Sequence, residues 1–268
     1  MLTIGFLGGG NMAAALIGGL LKEKTEDLTV HVVDHHPEKL AKLEALGART
    51  HKEPGDWITA CDLLVLAVKP QTMKAAVEPI VKLLNPKGAA LSIAAGIEAG
   101  VLSGWLGGYP LMRAMPNTPA MVGAGIAGLW SPKGMDESLR EAALRVLRAG
   151  GEVVEVKNES EIDLVGAIPG SGPAYVFRFM EALEKAGIKR GLSEESAHAL
   201  ALGTVYGAAE LARVSGEEFS LLREKVTSKG GTTAKALEVM NRLDIDRMMD
   251  EAVEAALTRT AEMKALFR

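Results

Sequence analysis

Leu2, Thr3, Ile4, Gly5, Phe6 and Leu7 run without a break into Gly8, Gly9, Gly10, Asn11, Met12 and Ala13. No other stretch constrains the fold as much. It reads as a buried strand that turns directly into a helix, with Gly8, Gly10 and Ala13 in the spacing G-x-G-x-x-A. Gly8 permits the tight turn, Gly10 lets a pyrophosphate approach the backbone, and Ala13 is small enough for the helix to pack closely on the strand. The open helix start presents unpaired N–H groups and a favourable dipole end to phosphates. A glycine-rich turn alone can be only a turn. Here a second strand, Thr29 to Val33, ends at Asp34, 24 residues beyond Gly10, where an acid can accept from both hydroxyls of an adenosine ribose. Strand, turn, helix, strand and acid in register point to a bound dinucleotide.

The chain has 268 residues, 48% hydrophobic and 24% charged, which excludes disordered and fibrous classes and allows one large domain or two. No apolar run reaches the roughly 18 residues that a membrane span requires. With no basic region ahead of an apolar stretch at the N-terminus, a cytoplasmic location is the expectation. Cys61 is the single cysteine, so neither an intrachain disulfide nor a cysteine-cluster metal site is available. A net charge of −4 argues against nucleic acid as the main partner. The histidines His31, His35, His36, His51 and His198 match no metal-ligand spacing, and no metal is expected.

Taken in order, the pattern predicts helices over Met12 to Leu21, Pro37 to Leu46 and Met73 to Leu84, and strands over Leu63 to Val68 and Ala89 to Ala94. Leu111 to Ala114 reads as a short strand, and Met115 to Pro119 as a stiff extended link because of its two prolines. A strand over Gly123 to Trp130, a helix over Pro132 to Ala149 and an edge strand over Val153 to Val156 follow. From Ile162 onward the composition is almost wholly helical. The expected boundary therefore lies near residue 158: a doubly wound, mostly parallel α/β domain over residues 1–157, then an all-helical domain over 158–268. Helices such as Ala197 to Val214 are apolar around most of their circumference, and a shared dimer domain is the simplest way to cover them.

Three further stretches could carry chemistry. Ala67, Val68, Lys69 and Pro70 end a sheet strand at the edge where such folds bind ligands, although Lys69 could equally be a solvated stop. Gly166 to Tyr175 contains Pro169, Gly170, Ser171, Gly172 and Pro173 at a helix entry, where Ser171 could be no more than a cap. Val226, Thr227, Ser228, Lys229, Gly230, Gly231, Thr232 and Thr233 precede a helical run; two glycines and a helix start suit a carboxylate, and a plain double-glycine turn is the alternative. No nucleophile elbow or acid–base series stands beside them, so hydride transfer, which needs orientation more than a strong nucleophile, fits the inventory.

These residues resemble the pyrroline-5-carboxylate reductase family. Gly5 to Ala13, Ala67 to Pro70, Ser92 to Gly96, Met115 to Pro119 and Gly170 to Tyr175 are similar to its motifs, and Val226 to Thr233 with Ala236 and Leu237 to its signature near the C-terminus. The resemblance implies a Rossmann-type domain and a helical dimerisation domain, forming a homodimer or an assembly of dimers, that reduce 1-pyrroline-5-carboxylate to L-proline, the last step of proline biosynthesis, with NADPH or NADH. It further implies that Gly8, Gly9, Gly10, Asn11, Met12, Ala13, Asp34, His35, Ala67, Val68, Lys69 and Pro70 bind the cofactor. Ala94, Ala95, Gly96, Asn117 and Pro119 would frame its nicotinamide. Val226, Gly230, Gly231, Thr232 and Thr233 would bind substrate, with Thr233 beside the reacting nitrogen and Ser228 shaping the pocket as the catalytic pair. Lys229 stands where the family usually has proline, and Ala167 and Pro169 replace a more usual glycine and serine.

Two other classes share parts of the pattern. A hydroxyacid dehydrogenase would need a lysine in an interdomain helix, and Ala174 to Ala186 offers only Lys185 near its far end. A non-enzymatic nucleotide-sensing or scaffolding protein is the alternative from another class. For cofactor choice, Asp34 opposes a 2′-phosphate and no arginine follows it. Both cofactors are expected to work, with NADH ahead at about pH 8 and NADPH gaining as pH falls, since His35 and His36 can donate hydrogen bonds to a 2′-phosphate and imidazoles donate more when protonated.

Overall fold

The structure, a computed structural model, describes residues 1–22 and 27–267. In chain order the elements are β1 (Leu2–Leu7), α1 (Asn11–Lys22), β2 (Leu28–Val33), α2 (Pro37–Ala45), β3 (Arg49–His51), β4 (Leu63–Leu66), α3 (Pro70–Val77), β5 (Ala89–Ser92), α4 (Ala99–Trp105), β6 (Leu111–Met115), β7 (Gly125–Trp130), α5 (Glu137–Arg148) and β8 (Gly151–Glu155). Helices α6 (Glu161–Val165), α7 (Gly172–Ile188), α8 (Glu194–Ser215), α9 (Phe219–Lys225), α10 (Thr232–Arg242) and α11 (Ile245–Ala265) complete the chain.

The strands form one eight-stranded sheet in the order β3-β2-β1-β4-β5-β6-β7-β8, and every pairing is parallel except β6 with β7. Strand β4 is Leu-Leu-Val-Leu and buried throughout, as expected where helices cover both faces. Alternation sorts the two cores. Ile4, Phe6 and Val65 pack with Leu16 and Ile17 of α1 and Leu147 of α5, whereas Leu7, Leu64 and Leu66 pack with Met73 of α3 and Leu102 of α4. Each such side chain contributes about 1.5–3 kcal/mol on burial, so the sheet domain has an ample core of its own.

Several sequence expectations change in detail. The helix expected to begin at Met73 starts at Pro70, whose missing N–H costs nothing there, and gives way to a 3-10 turn over Glu78–Leu83 at Pro79. The link after β6 is not extended to its end: Thr118–Val122 is a 3-10 turn with Pro119 in its first positions. The helix expected from Pro132 starts only at Glu137, after Gly134 at φ +83° and an Asp136 cap that accepts from the Ser138 N–H at 2.8 Å. Strand β3 and helix α4 were not anticipated.

By packing, the chain divides into two compact units, Met1–Ser171 together with the stretch from Ala255 onward, and Gly172–Glu254. This differs from a break near 158 at both ends. Residues 159–171 pack on the sheet, where Gly128 leaves so little room that a Cβ there would lie 2.5 Å from Val165 Cγ2. The last turns of α11 return to the first unit. In the second unit only Ala197 and Ala201 are buried, while Phe177, Leu200, Tyr206, Leu211 and Phe219 are exposed. No helix among the described residues is long and apolar enough to cross a membrane.

Candidate active site

Because β1 is flanked by β2 and β4, with Leu7 level with both Val33 and Leu66, the chain leaves three neighbouring strands at one edge, where the winding direction reverses. Gly8, Asp34 and Ala67 are the first residues past that edge. Gly8 has φ +104°, and a Cβ on it would lie 2.9 Å from the Ala67 carbonyl oxygen; its N–H donates to the Val33 carbonyl at 2.9 Å. The turn is thereby stitched to both neighbours. Gly10, by contrast, has nothing within 4 Å of a built Cβ. That open cradle lies at the start of α1, where the N–H groups of Asn11, Met12 and Ala13 have no carbonyl of their own helix to bind, and Ala13 is buried as its small size requires. The arrangement fits a pyrophosphate.

Asp34 is more occupied than the sequence implied. Its Oδ2 accepts from the Gly9 N–H at 2.9 Å and lies 3.5 Å from Lys39 Nζ, while Oδ1 accepts from the His36 N–H at 2.9 Å and contacts His36 Nδ1 at 2.7 Å. Burial pushes this carboxyl up, but the His36 and Gly9 N–H groups, the His36 ring and the Lys39 charge outweigh it and bring it down to about 2. A carboxylate oxygen accepts about two bonds, so both oxygens are already engaged, and Oδ2, whose second contact is the long 3.5 Å one with Lys39, is where a ribose hydroxyl can take a place. Asp34 therefore also acts as a bracket that ties the phosphate turn to the start of α2. His35 is exposed beside it. His31, His51 and Trp57 stack with centroids 4.6–5.3 Å apart, and burial pushes both histidine rings down in pKa.

Further along the same edge, the Ala67 N–H donates to the Leu7 carbonyl at 2.9 Å, exposed Lys69 precedes α3, and Pro70 opens that helix. After β5 come Ala94, with its N–H 3.3 Å from Ser92 Oγ, then Ala95 and Gly96 at φ +73°. Past β6, buried Asn117 donates through Nδ2 to the Pro169 carbonyl at 3.1 Å and accepts from the Ile126 N–H at 2.9 Å. Its amide joins the loop before Pro119 to the π-helical turn Gly166–Gly170, inside which Pro169 sits. Ser171 is not a cap: its hydroxyl donates back to the Gly166 carbonyl at 3.1 Å.

The signature stretch lies in the second unit, between α9 and α10. The Thr227 hydroxyl donates to the Arg223 carbonyl at 2.6 Å and the Gly231 N–H to the Ser228 carbonyl at 3.0 Å, a turn that Gly230 makes possible at φ +73°. A Cβ on Gly231 would lie 2.4 Å from Ser228 Oγ, so that hydroxyl sits directly over the glycine. The Gly231 N–H is thus already engaged, and the groups without a helical partner are the N–H groups of Thr232, Thr233 and Ala234, since the Lys235 N–H is the first to reach a carbonyl, that of Gly231 at 3.2 Å. The Thr233 hydroxyl has no partner among the described residues. Val226 and Lys229 are exposed.

Sequence reasoning discounts Lys39 as only a flexible point charge one turn into the helix, whereas its ammonium lies 3.5 Å from Asp34 Oδ2, and it passes over Arg113. An arginine within the apolar run Leu111 to Ala114 was the available signal, since a buried guanidinium requires buried acids.

Comparison with known proteins decides the family. The family model for pyrroline-5-carboxylate reductase dimerisation matches residues 159–263, and that for NADP oxidoreductase, coenzyme F420-dependent, matches residues 3–96. The pyrroline-5-carboxylate reductase of Pseudomonas aeruginosa is 39% identical over 262 residues, 97% of this chain and 96% of that protein. The chain belongs to the pyrroline-5-carboxylate reductase family. Solved structures agree: the family member from Coxiella burnetii has a TM-score of 0.92 at 36% identity, covering 97% of each chain. That of Plasmodium falciparum, with NADP bound, has a TM-score of 0.83 at 28% identity and 98% coverage of each chain. The family's cofactor is a nicotinamide dinucleotide, in accord with the open cradle at Gly10. The dehydrogenase and sensor alternatives give way to this membership.

Proposed function

We propose that this chain reduces 1-pyrroline-5-carboxylate to L-proline, as residues 1–157 bind NADPH or NADH and residues 158–268 bind substrate and pair two copies. The observation that carries the reading is the signature turn, which presents the Thr232 and Thr233 N–H groups and an unpartnered Thr233 hydroxyl at one helix start. The N–H groups of Asn11, Met12 and Ala13 hold the pyrophosphate, with Gly9 aligned by Asp34, whose Oδ2 also accepts from the ribose. Val68 and Lys69 line the same edge, and Ala94 to Gly96, Asn117 and Pro119 frame the nicotinamide. Once bound, the cofactor supplies a hydride to the imine carbon. Thr232 and Thr233 hold the substrate carboxylate through their N–H groups, with Val226, Gly230 and Gly231 shaping that end. The Thr233 hydroxyl faces the ring nitrogen, which must carry a proton for its carbon to accept hydride, and a donor at that point stabilises the developing product. Ser228 keeps the turn closed over Gly231. Incubation with 1-pyrroline-5-carboxylate and either reduced cofactor tests the reaction. Nicotinamide absorbance should fall as proline forms, and a protein that binds cofactor yet leaves it unoxidised would refute the assignment.

Two copies pair through residues 158–268, since a unit with so little buried surface needs cover. Light scattering at micromolar concentration should give the mass of two 28.2 kDa chains or a multiple of it; a single-chain mass would rule the pairing out. The enzyme works in the cytoplasm, where reduced nicotinamides are available.

Both cofactors are substrates. Lys39 beside Asp34 offsets the charge that a 2′-phosphate would otherwise meet. Lys39→Ala should lower kcat/KM for NADPH about five- to ten-fold and change the NADH value less than about two-fold. Parallel losses with both cofactors would show that Lys39 does not face the 2′ position.

A further inference from the structure

The last turn of α11 ends on the loop that leaves β5. This loop is fixed at both ends: the Ile93 N–H donates to the Leu66 carbonyl at 3.2 Å, and the Ala99 N–H donates to Glu159 Oε1 at 2.7 Å. Between them Gly96 bends at φ +73°, and a Cβ there would stand 3.1 Å from Met263 Cβ and 3.3 Å from Met263 Cε. Met263 therefore lies against the bend itself.

The next residue holds it there. Lys264 makes a close ion pair with Asp163 and a second with Glu98 at 3.5 Å, two residues past Gly96. Arg113, 1% exposed, donates to Glu159 Oε1 at 2.7 Å and lies 3.9 Å from Asp163. Five charged groups on β6, α6, α11 and the segments preceding α4 and α6 thus form one network, and Phe267 adds an edge-on contact with Trp105 of α4, with centroids 6.4 Å apart. Apolar contacts alone would dock a helix end more cheaply, because desolvating charges is costly. What charges add is a fixed position: if Lys264 shifts, Asp163 and Glu98 lose their shared cation in a half-buried place.

We propose that Lys264 is a positioning residue for the nicotinamide half of the cofactor, acting through Met263 and Gly96 to hold the Ala94–Gly96 loop in one shape. The proposal rests on the reading that this loop frames the nicotinamide. Lys264 touches neither cofactor nor substrate; its effect is on the wall of the site.

Titration calorimetry with NADPH and with 2′-phospho-ADP-ribose, the same molecule without its nicotinamide, separates this role from a general loosening. In Lys264→Met the affinity for NADPH should fall about five-fold, the order of a partly buried ion pair, while the fragment binds within about two-fold of its native affinity. Lys264→Arg should restore NADPH binding. Met263→Ala, which keeps every ion pair, should show the same split as Lys264→Met. Parallel weakening of both ligands, or no change in either, would overturn the proposal. An unaltered chain that binds the fragment as tightly as NADPH would instead overturn the reading of the loop, a distinct failure visible before any variant is made.

Discussion

Gly8→Ala should weaken NAD(P)H binding about 100-fold or more. An alanine at φ +104° is held where L side chains rarely go, at a cost of about 1–3 kcal/mol. Its Cβ would also meet backbone, 2.9 Å from the Ala67 oxygen and 3.0 Å from the Ala67 carbonyl carbon, and the turn cannot swing away while its own N–H is held by Val33. Either the turn opens or the exit of β4 moves, and both displace the phosphate-binding groups. Gly10→Ala provides the contrast. Its Cβ meets nothing within 4 Å, so the variant should keep native stability and still bind cofactor poorly, because the methyl occupies the place of the pyrophosphate. Thermal melts and cofactor titration of the two variants measure these separately. Gly8→Ala with cofactor affinity within about three-fold of native would show that the turn is not the phosphate site.

Thr233→Ala should reduce kcat about 100- to 1,000-fold and leave cofactor affinity unchanged, the range seen when one preorganised donor is removed from a transition state. Thr233 is the second residue of α10, and Gly231 before that helix offers no side-chain cap, so the Thr233 hydroxyl has no structural duty there. Thr227, six residues earlier, differs in that its hydroxyl is engaged by the Arg223 carbonyl. Thr227→Ala should therefore act on stability, by about 1 kcal/mol, and only weakly on turnover. Steady-state kinetics and melts of both variants decide the matter. Equal kcat for Thr233→Ala and the native chain would remove the hydroxyl from the reaction.

The two variants also mark what could be read from residues alone. The strand, turn and helix from Leu2 to Ala13 were legible because short-range rules fix them: an apolar run, glycines at steric choke points and a small residue where helix meets strand. The double-glycine turn was legible for the same reason. What was hidden depends on long-range pairing. Strand β3, Arg49 to His51, has no apolar run and exists because β2 offers it a parallel edge. Helix α4 follows the β5 loop, and its first N–H is satisfied by Glu159, 60 residues away. The engagement of Asp34 by Gly9 and His36 depends on the folded turn, since sequence spacing places an acid at the ribose without saying how many of its lone pairs are already used.

Helix α11 starts in the helical unit and finishes in the sheet unit, and this sets a rule for building chimaeras within the family. A hybrid cut once, near residue 158, would carry a foreign Met263 and Lys264 position against a native Gly96 loop. The graft that respects the packing takes residues 172–254 from one parent and keeps both flanks from the other, so its second seam falls inside a helix, one turn-matched ligation rather than a loop exchange.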